Sequence, residues 1–189
     1  MINALFIFLT ILVVVTIFCL ILIVGIYNKL VNLKMKVKNA LAQIDTQLKL
    51  RFDLIPNLVE TVKAYMKHEE NTLTEIIEAR NSFGSAKTFD EKKDATNTLG
   101  KTLKSIFALS EAYPELKANE NFKSLQASLS ETEGKIAYSR QFYNDIVQIY
   151  NASIKSFPSN IVANIFNFKE EPFFELTFAD QRENVKITF

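Results

Sequence analysis

The 189-residue chain sets 22 lysines and arginines against 21 aspartates and glutamates, a near-neutral balance without the basic surplus of a nucleic-acid binder. Four glycines and four prolines are too few for the tight hairpins of a β-rich fold or for loops that cradle phosphates. Sixteen phenylalanines with no tryptophan point to ring-packed cores, and the lone cysteine, Cys19, cannot form an internal disulfide.

The first predicted element is a run without charge. "ALFIFLTILVVVTIFCLILIVGI", Ala4 to Ile26, is long enough for a hydrocarbon core that takes about 20 apolar residues. It has no basic n-region, short apolar core or small-x-small site of a cleaved signal peptide. Phe18 stands where a lipoprotein site needs a small residue before the cysteine. Residues 1–28 are therefore expected to be an uncleaved transmembrane anchor in the lipid bilayer. Lys29, Lys34, Lys36, Lys38, Lys49 and Arg51 follow it, and basic residues beside a span stay on the cytoplasmic side. The expectation is a single pass through the cell membrane, amino terminus outside and helical domain cytoplasmic, with Tyr27 and Asn28 at the interface.

Beyond the span, apolar residues recur at Val37, Leu41, Ile44, Leu48, Phe52, Ile55, Val59, Val62, Met66, Leu73 and Ile76 or Ile77, in helical steps of three and four. They predict one helix over about 29–82, continuous with the anchor and reaching about 80 Å past the bilayer. The steps Ile44 to Leu48 to Phe52 read as a stutter that unwinds a coiled coil locally. "GSAKTFDEKKDA" from Gly84 breaks the pattern. Asp90 is the expected cap of a second helix, 90–113, whose stripe is Leu99, Leu103, Ile106, Phe107, Ser110 and Tyr113 and whose stop is Pro114. A third helix, 120–157, keeps its spacing from Phe122 to Phe157 and ends at Pro158. A short helix at 160–167, with Ile161, Ile165 and Phe168 on one face, leads into an extended Phe-rich tail, 169–189. The fold class is all-α: a transmembrane helix running into an elongated antiparallel bundle of three to four helices (29–168), then a short extended tail.

"YNKLV", "QIDTQLKLRFDLIPNLVETVKAYMKHEENTL", "EAYPELKANENFKSLQ", "ETEGKIAYSRQFYNDIVQIYNASIKSFPSN" and "FFEL" together resemble the LemA family of bacterial proteins, from about Ile21 to the end. The resemblance implies an amino-terminal membrane segment and an elongated helical domain, and no defined activity. Two positions depart from the family pattern: Asn167 stands for an expected glycine and Asn184 for an expected proline. Asn tolerates a left-handed backbone, so the turn at 167 is expected to survive.

No catalytic, cofactor or metal residues are predicted. His68–Glu69–Glu70 opens like a zinc-protease motif, but Thr72 replaces the second histidine, and the chain has one His. The informative polar residues lie on or beside the apolar stripes: Asp45, Arg51, Asp53, Asn57 and Glu60, then Glu133, Arg140, Tyr143–Asn144 and, seven residues on, Tyr150–Asn151. They are read as pairing across helices to fix register, as buried polar groups do in coiled coils, or as an interface with another protein. Pro56, which removes a helical hydrogen bond and crowds the carbonyl of Phe52, is read as a built-in bend, with Asp53 accepting from the amides that restart the helix. Phe173, Phe174 and the other tail rings, with Phe142, Ile146 and Ile149, are assigned in part to contacts between copies. The expected function is a non-enzymatic membrane scaffold that forms a homo-oligomer, without cofactor or nucleic acid. The alternative is an adaptor for another membrane protein, such as a protease or signalling receptor.

Overall fold

In the computed structural model, residues 2–66 and 69–174 are described. Among them there are six helices and no strand: α1 (Ile2–Lys63), α2 (Glu70–Ser85), α3 (Phe89–Ser110), α4 (Pro114–Ala118), α5 (Glu120–Lys155) and α6 (Ser159–Ile165). The all-α class predicted from periodicity is the class observed. The chain divides into two compact units, one formed by residues up to Ala42 with Gln141–Phe173, the other by Gln43–Arg140 with Phe174.

The apolar stretch of α1 is the one helix among the described residues that is long and apolar enough to cross a membrane, and none of that stretch is buried. In the first unit, burial begins at Leu30 and continues through Leu33, Val37 and Ala40, a strict alternation of three and four that turns one face inward. Tyr143, Val147, Tyr150 and Ile154 of α5, with Val162 and Ala163 of α6, are the buried apolar positions that complete it, and Asn151 is buried among them.

The second unit has a core built by α1 to α5. Ile55, Leu58, Val62 and Met66 meet Leu73, Ile76 and Ala79 of α2, Leu99, Leu103 and Ile106 of α3, Leu116 of α4, and Phe122 and Leu129 of α5. Each fully buried side chain of this size contributes roughly 1.5–3 kcal/mol.

Several local expectations are corrected. The helix expected to reach Ser82 leaves helical geometry after Lys63, and α2 starts at Glu70. Tertiary contacts fix this break: Met66 is buried in the core, the Tyr65 hydroxyl accepts from Asn119 Nδ2 at 3.0 Å, and the Tyr113 hydroxyl donates to Glu69 at 3.2 Å. By contrast, α1 runs on through Pro56. Among the described residues Asp53 accepts from no backbone amide there; it takes the Lys49 ammonium at 3.2 Å on an exposed turn.

The cap of α3 is Thr88, not Asp90. Its hydroxyl accepts from the Glu91 amide while the Glu91 carboxylate accepts from the Thr88 amide, a reciprocal capping box. Helix α3 stops at Ser110 before it meets Pro114, which instead opens α4 at its first turn, where a missing N–H costs nothing. Asn119 Oδ1 accepts from the Phe122 amide at 3.0 Å, capping α5. Helix α6 buries Val162 and Ala163, while Ile161 and Ile165, four residues apart on the face they were expected to share, turn outward. Asn167 has φ of 56°, the left-handed turn anticipated for it.

Candidate functional site

The polar residues picked out from sequence fall into two clusters, one in each unit. In the second unit the inward stripe of α1 is Ile44, Leu48, Arg51, Ile55, Leu58 and Val62. Arg51 occupies the place assigned to Phe52, and its guanidinium Nη1 contacts a Glu133 carboxylate oxygen on α5 at 2.7 Å. Phe52 sits at the edge, 5.8 Å from the Phe83 ring and under the guanidinium of Arg80 at 4.1 Å. Gly100 of α3 lies against Arg51, where a Cβ would stand 3.5 Å from Nη2.

Arg140, one heptad beyond Glu133, is also buried, with its guanidinium 5.1 Å from the Phe174 ring. Phe174 packs edge-on to Phe89 at 5.3 Å. Burial pushes both guanidiniums below their ordinary value. The Glu133 carboxylate pulls each back up, and Arg51 depresses Arg140 further. The result is two buried cations near one half-exposed carboxylate, which contacts Arg51 and attracts Arg140 through space. Each leaves its Nε without a hydrogen-bond partner among the described residues.

Asp45 holds the ammonium of Lys92 on α3 at 3.0 Å, a cross-helix pair whose second member was not singled out from sequence. Pro56, Asn57 and Glu60 are exposed. Beside Arg51 an open groove of about 480 Å³ runs between α3 and α5, with Leu103, Phe107 and Leu129 as apolar walls and Lys104 and Glu133 at the rim.

The second cluster lies in the first unit and has a different purpose from the one expected. The Tyr143 hydroxyl donates to the Pro172 carbonyl at 2.8 Å, and the Tyr150 hydroxyl to the Lys169 carbonyl at 2.9 Å. Asn151 donates to the Glu171 carbonyl at 2.9 Å and accepts from the Glu171 amide at 3.0 Å. One side chain thereby satisfies both backbone groups of one residue, as a neighbouring strand would. The heptad repeat thus grips the backbone of the extended segment, and Lys155–Glu170 at 2.8 Å adds an exposed ion pair beside it. Asn144 is half-buried, Phe173 is exposed and Phe174 is buried in the second unit. Among the described residues no three His, Cys, Asp or Glu side chains gather as metal ligands. His68 lies outside the described residues.

Burial pushes the Tyr143 hydroxyl up to about 12, with the Glu171 carboxylate adding to it, and Tyr150 is raised by the same causes. A raised folded value means that the native state holds the proton more tightly. The stabilisation is therefore complete below pH about 10, the unfolded value, and is lost as the pH climbs through about 12. Spectrophotometric titration of tyrosinate is expected to show a late-ionising component that Tyr143→Phe diminishes, leaving the share of Tyr150. An unchanged late component in that variant would contradict the assignment.

The sequence profile of the LemA family matches residues 40–189, which takes in both clusters. The chain belongs to the LemA family. The LemA protein of Metamycoplasma hominis is 28% identical over 144 residues, 74% of this chain and 64% of that protein. Magnetosome protein MamQ 1 of Paramagnetospirillum magneticum is 33% identical over 81 residues, and MamQ of Magnetospirillum gryphiswaldense 30% over 80. Those two alignments cover 43% and 42% of this LemA-family chain and only 30% and 29% of the magnetosome proteins.

Proposed function

We propose that this LemA-family chain is a non-enzymatic helical scaffold, anchored by a single pass of α1 through the cell membrane, that self-associates there as a homo-oligomer. The observation that carries the reading is α1 itself. None of its apolar stretch is buried, yet the same helix continues without a break into residues that form packed cores. Self-association is supported by α5, where Phe142 and Ile149 are exposed and Ile146 is half-exposed. Confinement to a membrane raises the effective concentration of such faces. A non-enzymatic role fits a site whose charges are engaged by one another: Arg51 with Glu133, Asp45 with Lys92, Lys49 with Asp53.

Purified full-length protein in mild detergent should sediment as a uniform assembly. Phe142→Glu with Ile149→Glu should shift it to monomers while circular dichroism stays constant. A monomer at every concentration would overturn self-association. It would favour a second reading supported by the groove beside Arg51: an adaptor that seats another membrane protein, such as a protease or signalling receptor.

The orientation argued from the lysines is tested separately. In a Cys19→Ser background, a cysteine replacing the exposed Ser85 should escape membrane-impermeant thiol reagents in intact cells and react after permeabilisation. Labelling without permeabilisation would reverse the orientation.

A further inference from the structure

We propose that α6 and the residues around it form a second membrane contact, a shallow apolar patch seated in the lipid interface beside the point where α1 leaves the bilayer. The inference rests on the reading of α1 as an anchor and adds a partner surface to it. The apolar run of α1 ends at Ile26, followed by Tyr27, Asn28 and Lys29, and a tyrosine at the end of a span sits at headgroup level. Tyr27 marks that level for whatever packs on it. Its ring lies 4.7 Å from Phe166 and 5.8 Å, edge-on, from Phe168. The chain just after α6 is thereby fixed at the height of the interface.

What α6 shows there is apolar. Val162 and Ala163 turn inward, which leaves Ile161 at 51% exposure and Ile165 at 66%, four residues apart on one helical face. Phe157 before the helix and Phe166 after it are 80% and 49% exposed. A row of large apolar side chains left open in water is costly, and contiguous patches of this kind mark interaction sites. Continuity with the anchor selects the bilayer as the occupant. An interfacial helix buries its apolar face about 5–10 Å into the headgroup and acyl boundary, a depth that isoleucine and phenylalanine side chains reach from the level of Tyr27. The exposed ammonium of Lys29, two residues from Tyr27, together with Lys169, favours anionic headgroups around the patch.

The test uses full-length protein with Cys19→Ser and a single cysteine replacing Ile165, Val14 or Met35. Each is labelled with an environment-sensitive fluorophore and reconstituted into phosphatidylcholine–phosphatidylglycerol vesicles. Lipids carrying a nitroxide near the headgroup or deep in the acyl chain serve as quenchers. The Ile165 label should shift to the blue and lose more emission to the shallow nitroxide than to the deep one. The Val14 label should lose more to the deep nitroxide, and the Met35 label, about 12 Å further along α1 than Tyr27, should stay aqueous. An unquenched Ile165 label beside a quenched Val14 label overturns the patch and leaves the anchor standing. A blue-shifted Ile165 label that no lipid quenches means that a second protein copy covers α6, which also overturns it. An unquenched Val14 label removes the anchor and the patch together.

Discussion

Replacing Asn151 by leucine is expected to lower the stability of the first unit by about 2–4 kcal/mol, because it orphans two backbone groups at once. The Glu171 amide and carbonyl both pair with this side chain, and Asn151 is only 8% exposed, so water does not replace it. Asn151→Asp is a sharper probe. A carboxylate still accepts from the Glu171 amide but has nothing to donate to the Glu171 carbonyl, so it sets two acceptors face to face. Hydrogen exchange at Glu171 should accelerate in both variants, and proteolytic cleavage between Phe168 and Phe173 should become readily detectable. If the amide stays as protected as in the parent protein, the clamp does not hold the segment.

The second large effect is asymmetric. Glu133→Gln should destabilise the second unit by about 2 kcal/mol, less than the 3–5 typical of breaking a buried pair because this carboxylate is partly hydrated. It leaves the Arg51 and Arg140 guanidiniums, which already disfavour one another, without the Glu133 charge that attracts both. Arg51→Met should be nearly neutral or stabilising, since replacing a buried charge by an apolar isostere removes a desolvation penalty. In the Arg51→Met background the cost of Glu133→Gln should shrink, and denaturant midpoints of the four proteins give the coupling directly. Equal losses from Arg51→Met and Glu133→Gln would mean that the pair stabilises the fold outright.

The helical class and the inward stripes of α1 and α5 were legible because a repeat of three and four residues states which face is buried. Other features were not, for separable reasons. Nothing local marks the break after Lys63: there is no glycine or proline in 64–69, and Met66 stays in phase with the stripe because it is buried on both readings. The break depends on Tyr65 meeting Asn119, more than fifty residues away. Arg51 took the core position expected for Phe52 because its partner Glu133 is on another helix. The Tyr–Asn repeat was found, yet its partner was misjudged. A heptad interval says where side chains point and not what lies opposite, here a backbone. The Thr88–Glu91 box was written in the sequence as Thr-x-x-Glu, and a competing Asp90 obscured it.

The order of the two units along the chain has a consequence for how the protein folds. The first unit is assembled from residues up to Ala42 and from Gln141–Phe173, while the stretch between them builds most of the second. Contacts within the first unit must therefore close a loop of roughly a hundred residues, an entropy loss that grows with the logarithm of loop length. The second unit is nearly sequential, and local contacts form sooner. Once it has folded, its own Arg51–Glu133 contact already ties positions near both ends of that loop, which lowers the closure entropy still to be lost. A lesion in the intervening helices should therefore slow the assembly of both units. A lesion such as one at Asn151 should leave the early step untouched and alter only the late one.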